Sequence, residues 1–318
     1  MQRLSELAYY KTGGTCLELH SPRTLGELSA AMAFIHQRRL PFFILGGGTN
    51  SLVLDEHFPG AVISFSGMRR LEIVGTAVHA EAGVDNTILA EACRDHSLQG
   101  VAWMNRLPGQ VGGTVRMNAR CYGGEISQVV ERVTSVCPDG TVKEYTDRSV
   151  FRGYKDTVFM NNGEVIAQVV IRTQPGERLA IQQDMDRCAD DRIAKGQFLH
   201  PSCGCVFKND YAVGVPSGML LEAAGVKVLS HPLLMINRQH CNFVFNLGAT
   251  SRDILEFTML MRESVFQKFG VWLEYEMEIL GALPEDLVGR VSENRTQNLH
   301  EEALSPLRER MRQRLKAD

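Results

Sequence analysis

The sequence predicts a mixed α+β fold, and three features carry that prediction: helix-period segments with capping signals, short strands of period two, and glycine clusters that interrupt both. The helices declare themselves at their starts. Thr24 and Glu27 have capping-box spacing, after which Leu28, Met32 and Ile35 recur on one face. Asp85 is placed to cap a helix carrying Ile88, Leu89, Ala92 and Cys93. A further helix is expected from Gly218 to Glu222. Thr250 and Asp253 open the clearest one, with Ile254, Phe257, Met261 and Val265 on one face and Gly270 as its stop. Strands are expected at 41–45, 51–54 and 61–65, in the alternating stretch 71–82, and in a hairpin over 129–147 that turns at Pro138-Asp139-Gly140. More follow at 164–172, 242–246 and 271–280. In the last of these, Val271, Leu273, Tyr275, Met277 and Ile279 alternate with Trp272, Glu274, Glu276 and Glu278, so a buried and a charged face are expected. Pro175-Gly176 and the polar run 177–196 mark the boundary before the last domain.

Composition narrows the class of protein. A chain of 318 residues, 44% apolar and 22% charged, has room for two or three packed domains. A net charge of −3 gives no global pull toward nucleic acid. No segment has the apolar length of a membrane span, and the start MQRLSELAYYKTGG lacks the apolar centre of a secretory signal, so a cytoplasmic protein is expected. Eight scattered cysteines fit reduced thiols better than a disulfide framework. Cys203, Cys205, His240 and Cys241 lack the paired spacing of a zinc site, and no metal is expected.

Chemistry concentrates at the glycines. Phe42 to Asp55 reads FFILGGGTNSLVLD, a strand, a loop of small residues and a strand. Glycines let backbone approach a bulky guest, and exposed N–H groups and hydroxyls suit an anion, but the stretch reads equally well as a hairpin turn. It is neither a dinucleotide G-x-G-x-x-G nor a Walker loop. A second cluster, from Asn105 through Pro108-Gly109-Gln110-Val111-Gly112-Gly113-Thr114 to Asn118 and Gly123-Gly124, favours function over turn chemistry, because two loops starved of side chains can clamp a pyrophosphate from two sides.

The order of motifs resembles one family. GGGTNSLVLD, LPGQVGGTVRMNARCYGGEI, GYKDTVF, PSCGCVFKND, QHCNFVFN and FGVWLEYEMEILG together are similar to the UDP-N-acetylenolpyruvoylglucosamine reductases, from about residue 15 to Gly281. The charged run 286–318, beyond that stretch, is expected to be a helical tail. The resemblance implies the vanillyl-alcohol-oxidase type of flavoprotein: FAD-binding subdomains at 1–75 and 76–195 and an α+β substrate domain at 196–285. It implies noncovalent FAD, held by Gly46, Gly47, Gly48, Thr49, Asn50 and Ser51 on one side and by Pro108, Gly109, Gly112, Gly113, Thr114, Asn118 and Gly124 on the other. NADPH is the implied reductant. The implied substrate is a UDP-sugar enolpyruvyl ether of peptidoglycan precursor synthesis, in a chain expected to be monomeric with no nucleic-acid partner.

Three positions carry the implied catalysis. Lys155, in Tyr154-Lys155-Asp156-Thr157, stands where the family has an arginine; it keeps the charge but loses the bidentate fork. Cys205, in Gly204-Cys205-Val206-Phe207-Lys208-Asn209, stands where the family has its proton-donating serine, and reads otherwise as an inert thiol. Glu276 matches the second glutamate of the family's Leu-Glu-x-Glu strand, and reads otherwise as part of a solvated face. Tyr154, Lys208, Asn209, Lys227, Arg238 and Gln239 are the implied substrate contacts. The lysine and cysteine leave two alternatives open: a same-fold flavin reductase of another enol ether or enoate, and a flavin-binding module without turnover.

Overall fold

A computed structural model describes residues 2–317. The chain divides into two compact units. One comprises Cys16–Gly47 and Pro59–Ala194; the other comprises the chain up to Thr15, Gly48–Phe58 and everything from Lys195 onward.

The first unit is built on regular sheet. Its main sheet has five antiparallel strands in the order Val142–Tyr145, Val130–Val136, Val165–Arg172, Ala77–Glu81, Leu71–Val74. The register places Val133, Val169, Ala80 and Leu71 in one row, so the period-two pattern puts one apolar face on the core. A smaller sheet orders Cys16–His20, Phe58–Ser64 and Phe42–Leu45. Pro59 and Gly60 lie inside the strand expected to begin after them; pairing with Phe42–Leu45 starts only at Ala61, so the missing N–H of Pro59 costs that ladder nothing. Helix Leu25–Gln37 starts as expected, with Thr24 accepting from the Glu27 N–H at 3.1 Å, although the Glu27 carboxylate reaches Arg23 N–H rather than the cap's own. Asp85 caps helix Asn86–Asp95.

One hydrophobic core, running from Leu28 through Ile63, Val78 and Val169 to Cys188, serves the whole unit. A division at residue 75 would cut the hairpin Leu71–Val74/Ala77–Glu81; Gly48–Phe58 and the chain up to Thr15 go to the other unit, while this unit takes Cys16–Gly47 and Pro59–Ala194 from the two expected FAD subdomains. Helix Arg178–Ala194, expected as a polar boundary run, belongs to this body too. Ile181, Met185, Cys188 and Arg192 share its buried face, and the buried Arg192 guanidinium donates to the carbonyls of Trp103 and Asn105. Glu164 is buried in the sheet and accepts from Ser135 (2.6 Å), Lys143 (3.1 Å) and Tyr145 (2.9 Å). Burial pushes its carboxyl upward, but these donors win and hold it below the usual glutamate value.

The second unit has little sheet. Ser51–Val53 pairs in parallel with Glu278–Leu280, and Leu234–Ile236 pairs antiparallel with Val244–Asn246. Helix Ser251–Phe269 carries the full capping box of Thr250 and Asp253 and stops at Gly270, whose φ of 65° is left-handed. Its apolar face enters a second core with Leu220, Val244, Phe207 and Leu273. The expected strand 271–280 is strand only at Glu278–Leu280, with one bridge between Tyr275 and Phe207. Trp272 is therefore not on a charged outer face: it is buried, with Arg262 and Arg295 stacked on its ring. After Pro284 come helices Glu285–Ser292 and Glu301–Ala317, and Leu287 and Leu304 are both fully buried.

Where strands are short, asparagine side chains replace the ladder. Asn242 accepts from Phe207 N–H (2.9 Å) and donates to Phe207 C=O (2.8 Å). Asn246 donates to Tyr10 C=O and accepts from Gly248 and Ala249; Asn237 donates to Lys195 C=O and accepts from Gln239. All three are buried with donor and acceptor both used.

Candidate active site

In the second unit, three separated stretches of sequence meet. Strand Ser51–Val53 follows directly from Thr49-Asn50, the end of the first glycine loop. The Asn50 amide donates to Glu276 C=O at 2.9 Å, and Asn50 C=O accepts from Glu278 N–H at 2.8 Å. Glu276 N–H donates to Val206 C=O at 2.8 Å, and Lys208 N–H to Glu274 C=O at 2.8 Å. These bonds and the Phe207/Tyr275 bridge lay the stretch Val206–Lys208, directly after Cys205, antiparallel to Glu274–Glu276. Gly204 turns at φ 76°, and a Cβ there would lie 3.8 Å from Thr49 C=O, so the SCGC turn passes over the glycine loop. Gly48 is required by its φ of 63° and by Ala8, whose Cα would lie 2.7 Å from an added Cβ.

The two thiols of the turn differ. Cys203 is buried, its Sγ donating to Met277 Sδ at 3.7 Å, and burial, with the neighbouring Cys205 and Glu276 charges, pushes it well above the ordinary thiol value. Cys205 and Glu276 are half-buried and reachable from solvent. Lys208 pairs with Glu274 at 2.5 Å. Asn209 is spent locally, accepting from Ser217 N–H at 2.9 Å where a helix begins. Lys227 pairs with Glu222 at 2.6 Å, while Arg238 and Gln239 are exposed on the turn that Asn237 pins.

The first unit carries the other half of the expected set. Gly46 and Gly47 end strand Phe42–Leu45, and Gln110 Oε1 would lie 2.9 Å from a Cβ on Gly46. In the second cluster the glycines separate by purpose. Gly112 and Gly113 lie within helix Val111–Arg116 rather than in an open loop. Gly112 N–H donates to Ala82 C=O, and an added Cβ would lie 2.7 Å from Ala82 Cβ, so this glycine serves close packing. Thr114 is likewise used internally, its hydroxyl donating to Asn86 at 2.9 Å. Beside Gly113 and Gly123, by contrast, nothing lies within 4 Å. Pro108 is exposed, and Gly109 turns at φ 124°. Gly124 packs on the Trp103 indole.

Arg106, Asn118, Tyr122 and Lys155 all have φ between 43° and 54°, a strained region for residues with side chains that collects at functional positions. Asn118 donates to Glu125 and to Gly153 C=O, both at 2.9 Å; the latter bond ties the cluster to the Phe151–Gly153/Asp156–Thr157 hairpin. Lys155 sits at that hairpin's tip, and its charge is felt at Cys121. Tyr154 lies under the Arg120 guanidinium at 4.3 Å. Two buried polar atoms here, Trp103 Nε1 and Asn118 Oδ1, lack a hydrogen-bond partner among the described residues. Open glycine surface beside unspent buried donors and acceptors fits a polar ligand such as a dinucleotide.

The comparisons agree with that chemistry. Residues 19–146 match the family model of an FAD binding domain. The protein is an FAD-dependent oxidoreductase. Residues 196–280 match the C-terminal domain of UDP-N-acetylenolpyruvoylglucosamine reductase. The chain is 32% identical to the reductase of that name from Lactiplantibacillus plantarum, over 90% of this chain and 94% of that one. It is 31% identical to the one from Clostridioides difficile, over 86% and 90%. A crystal structure of the Thermus caldophilus reductase superposes with a TM-score of 0.74 at 29% identity, covering 87% of this chain and 97% of that one. This chain belongs to the UDP-N-acetylenolpyruvoylglucosamine reductase family.

Sequence reasoning missed Arg192 and Asn242. Arg192 had a signal, because it continues the spacing of Ile181, Met185 and Cys188 on one helical face. Asn242 had none, since its partner Phe207 is 35 residues away.

Proposed function

We infer that the chain reduces the enolpyruvyl ether of UDP-N-acetylenolpyruvoylglucosamine to UDP-N-acetylmuramate, with NADPH as reductant and noncovalent FAD as the carrier that supplies hydride when bound. The carrying observation is the ladder that lays the stretch after Cys205 along Glu274–Glu276 in a chain of this family. Reduction adds a hydride to one alkene carbon and a proton to the other. The Cys205 thiol gives that proton, and a thiol, with an ordinary pKa of about 8.5, is a stronger acid than a serine hydroxyl. Glu276 steadies or relays charge beside it. Lys155 is the residue proposed to meet the substrate carboxylate, as a point charge, while negative charge builds next to it.

Open glycine surface at Gly113 and Gly123, together with Gly109, Asn118, Gly124, Gly46 and Gly47, would hold FAD. Gly48 to Ser51 are the further residues proposed to contact FAD. Gly112 and Thr114 support these residues by packing. Lys208, Lys227, Arg238, Gln239 and Tyr154 supply charge and hydrogen bonds for a UDP-sugar; Asn209 holds the start of the helix at Ser217. UDP-sugars and NADPH are cytoplasmic metabolites, and a cytoplasmic monomer is the matching form. Among the described residues no helix is long and apolar enough to cross a membrane.

The test is a yellow holoenzyme that oxidises NADPH only when the enolpyruvyl UDP-sugar is present; oxidation indifferent to that compound counts against the reading. In anaerobic stopped flow, Cys205→Ala is expected to slow flavin reoxidation by substrate about a hundredfold or more and to spare flavin reduction by NADPH. Equal damage to both half-reactions removes the proton-donor role.

A further inference from the structure

We propose that the segment after residue 284 is a working part of the catalytic unit, positioning Glu276 and Cys205 through a column of stacked cations and aromatic rings. The inference rests on the catalytic reading of those two residues. The column starts at the site itself. Phe207, two residues after Cys205, stacks on Tyr275, next to Glu276, with centroids 5.2 Å apart and planes 23° from parallel. The Arg262 guanidinium lies 4.9 Å from the Tyr275 ring and 4.1 Å from Trp272. Arg295 continues it, 4.5 Å from Trp272 and 5.1 Å from Phe266.

The far end of this column belongs to the C-terminal segment. Arg295 comes from that segment and pairs with Glu263 at 2.8 Å. Arg262 donates to Arg290 C=O and Trp272 Nε1 to Glu293 C=O, each at 2.9 Å. Asn298 N–H donates to Gly270 C=O, and any Cβ on Gly270 would fall 1.6 Å from Asn298 C=O, so the contact demands glycine. A second strap reaches the turn after Lys208: Gln297 donates to Asp210 and Arg308 to Val213 C=O, each at 2.8 Å. The match to the family's C-terminal domain ends at residue 280, before Arg290, Glu293, Arg295, Gln297, Asn298 and Arg308.

A flat guanidinium between two rings transmits displacement, because tilting it breaks both stacks and the carbonyl bond together. Removing the cap should therefore loosen the Tyr275–Glu276 backbone against Val206–Lys208. The experiment uses FAD-loaded enzyme as Arg262→Met, Arg295→Ala and a chain ended after Pro284, with Arg295→Lys as the conservative control. Hydrogen–deuterium exchange is followed on peptides spanning 204–209 and 274–278. In Arg295→Ala and Arg262→Met those amides should exchange about tenfold faster, while Leu234–Ile236 and Val244–Asn246 in the same unit stay protected. Flavin reoxidation by the enol ether should slow about tenfold with reduction by NADPH within about twofold of the parent, and Arg295→Lys should recover most of both.

Unchanged exchange in both point variants overturns the proposal, and so does exchange that rises equally throughout the unit. A shortened chain that folds and turns over at the parental rate also overturns it; if that chain does not fold, the point variants decide. Because exchange needs no substrate, a parent enzyme inert toward the enolpyruvyl sugar would sink the functional reading and leave the positioning result standing.

Discussion

The two units solve the same problem, satisfying buried backbone and polar groups, in opposite ways. The first relies on a five-stranded antiparallel sheet and places an ionised carboxylate, Glu164, at the junction of Ser135, Lys143 and Tyr145. The second has short strands and relies on neutral amides, Asn237, Asn242 and Asn246, each bridging donor and acceptor on distant backbone. A ladder fixes many residues weakly and evenly, whereas a buried amide fixes one place strongly. That suits a unit proposed to hold Cys205 and Glu276 in place. It also makes the first unit sensitive to acid and the second sensitive to single substitutions.

The largest expected effect breaks the second strategy. Asn242→Ala leaves both Phe207 N–H and Phe207 C=O buried and unmet, at a cost of about 2–4 kcal/mol for the two groups; thermal unfolding should show it, together with slowed flavin reoxidation. Wild-type stability would mean that the Phe207 backbone finds other partners.

Next comes acid. The Glu164 pKa is lowered in the folded protein, so its stabilisation is complete above the ordinary glutamate value of about 4.3 and is lost as pH falls through the lower folded value. Glu164→Gln should cost about 1–3 kcal/mol at neutral pH and flatten the acid side of the stability curve. An unaltered acid limb would remove Glu164 as its source.

The smallest effect sharpens the reading of the second glycine cluster. Gly112→Ala drives a methyl into Ala82 and should destabilise by about 1–3 kcal/mol, whereas Gly113→Ala enters open space within a helix and should stabilise the FAD-free protein by about 0.5–1 kcal/mol. If Gly113 faces the cofactor, the same change weakens FAD binding, and titration of the apoprotein separates the two effects. Equal behaviour of the two variants would end the distinction between packing and ligand glycines.

Much of this was legible locally. Thr24, Asp85 and the Thr250/Asp253 pair begin helices where their side chains say they should, because a cap is decided within four residues. The hairpin at Pro138-Asp139-Gly140 forms for the same reason. The alternation over 271–280 misled at Trp272, since a period-two pattern assumes a sheet face and this stretch has almost no sheet to lie on. The Arg295 that stacks on Trp272 enters from 23 residues later.

By itself the sequence determined the class of protein, the two glycine clusters, the family, and the candidates Lys155, Cys205 and Glu276, because turns, caps and motif order are written in short runs of residues. Only the tertiary structure decided what each glycine is for, that Asn209 and Thr114 are spent on their own neighbours, and that Asn50 grips the backbone of Glu276 across 226 residues of chain. Those outcomes depend on which groups remain unpaired after folding. Local pattern cannot count them, since every partner comes from elsewhere in the chain.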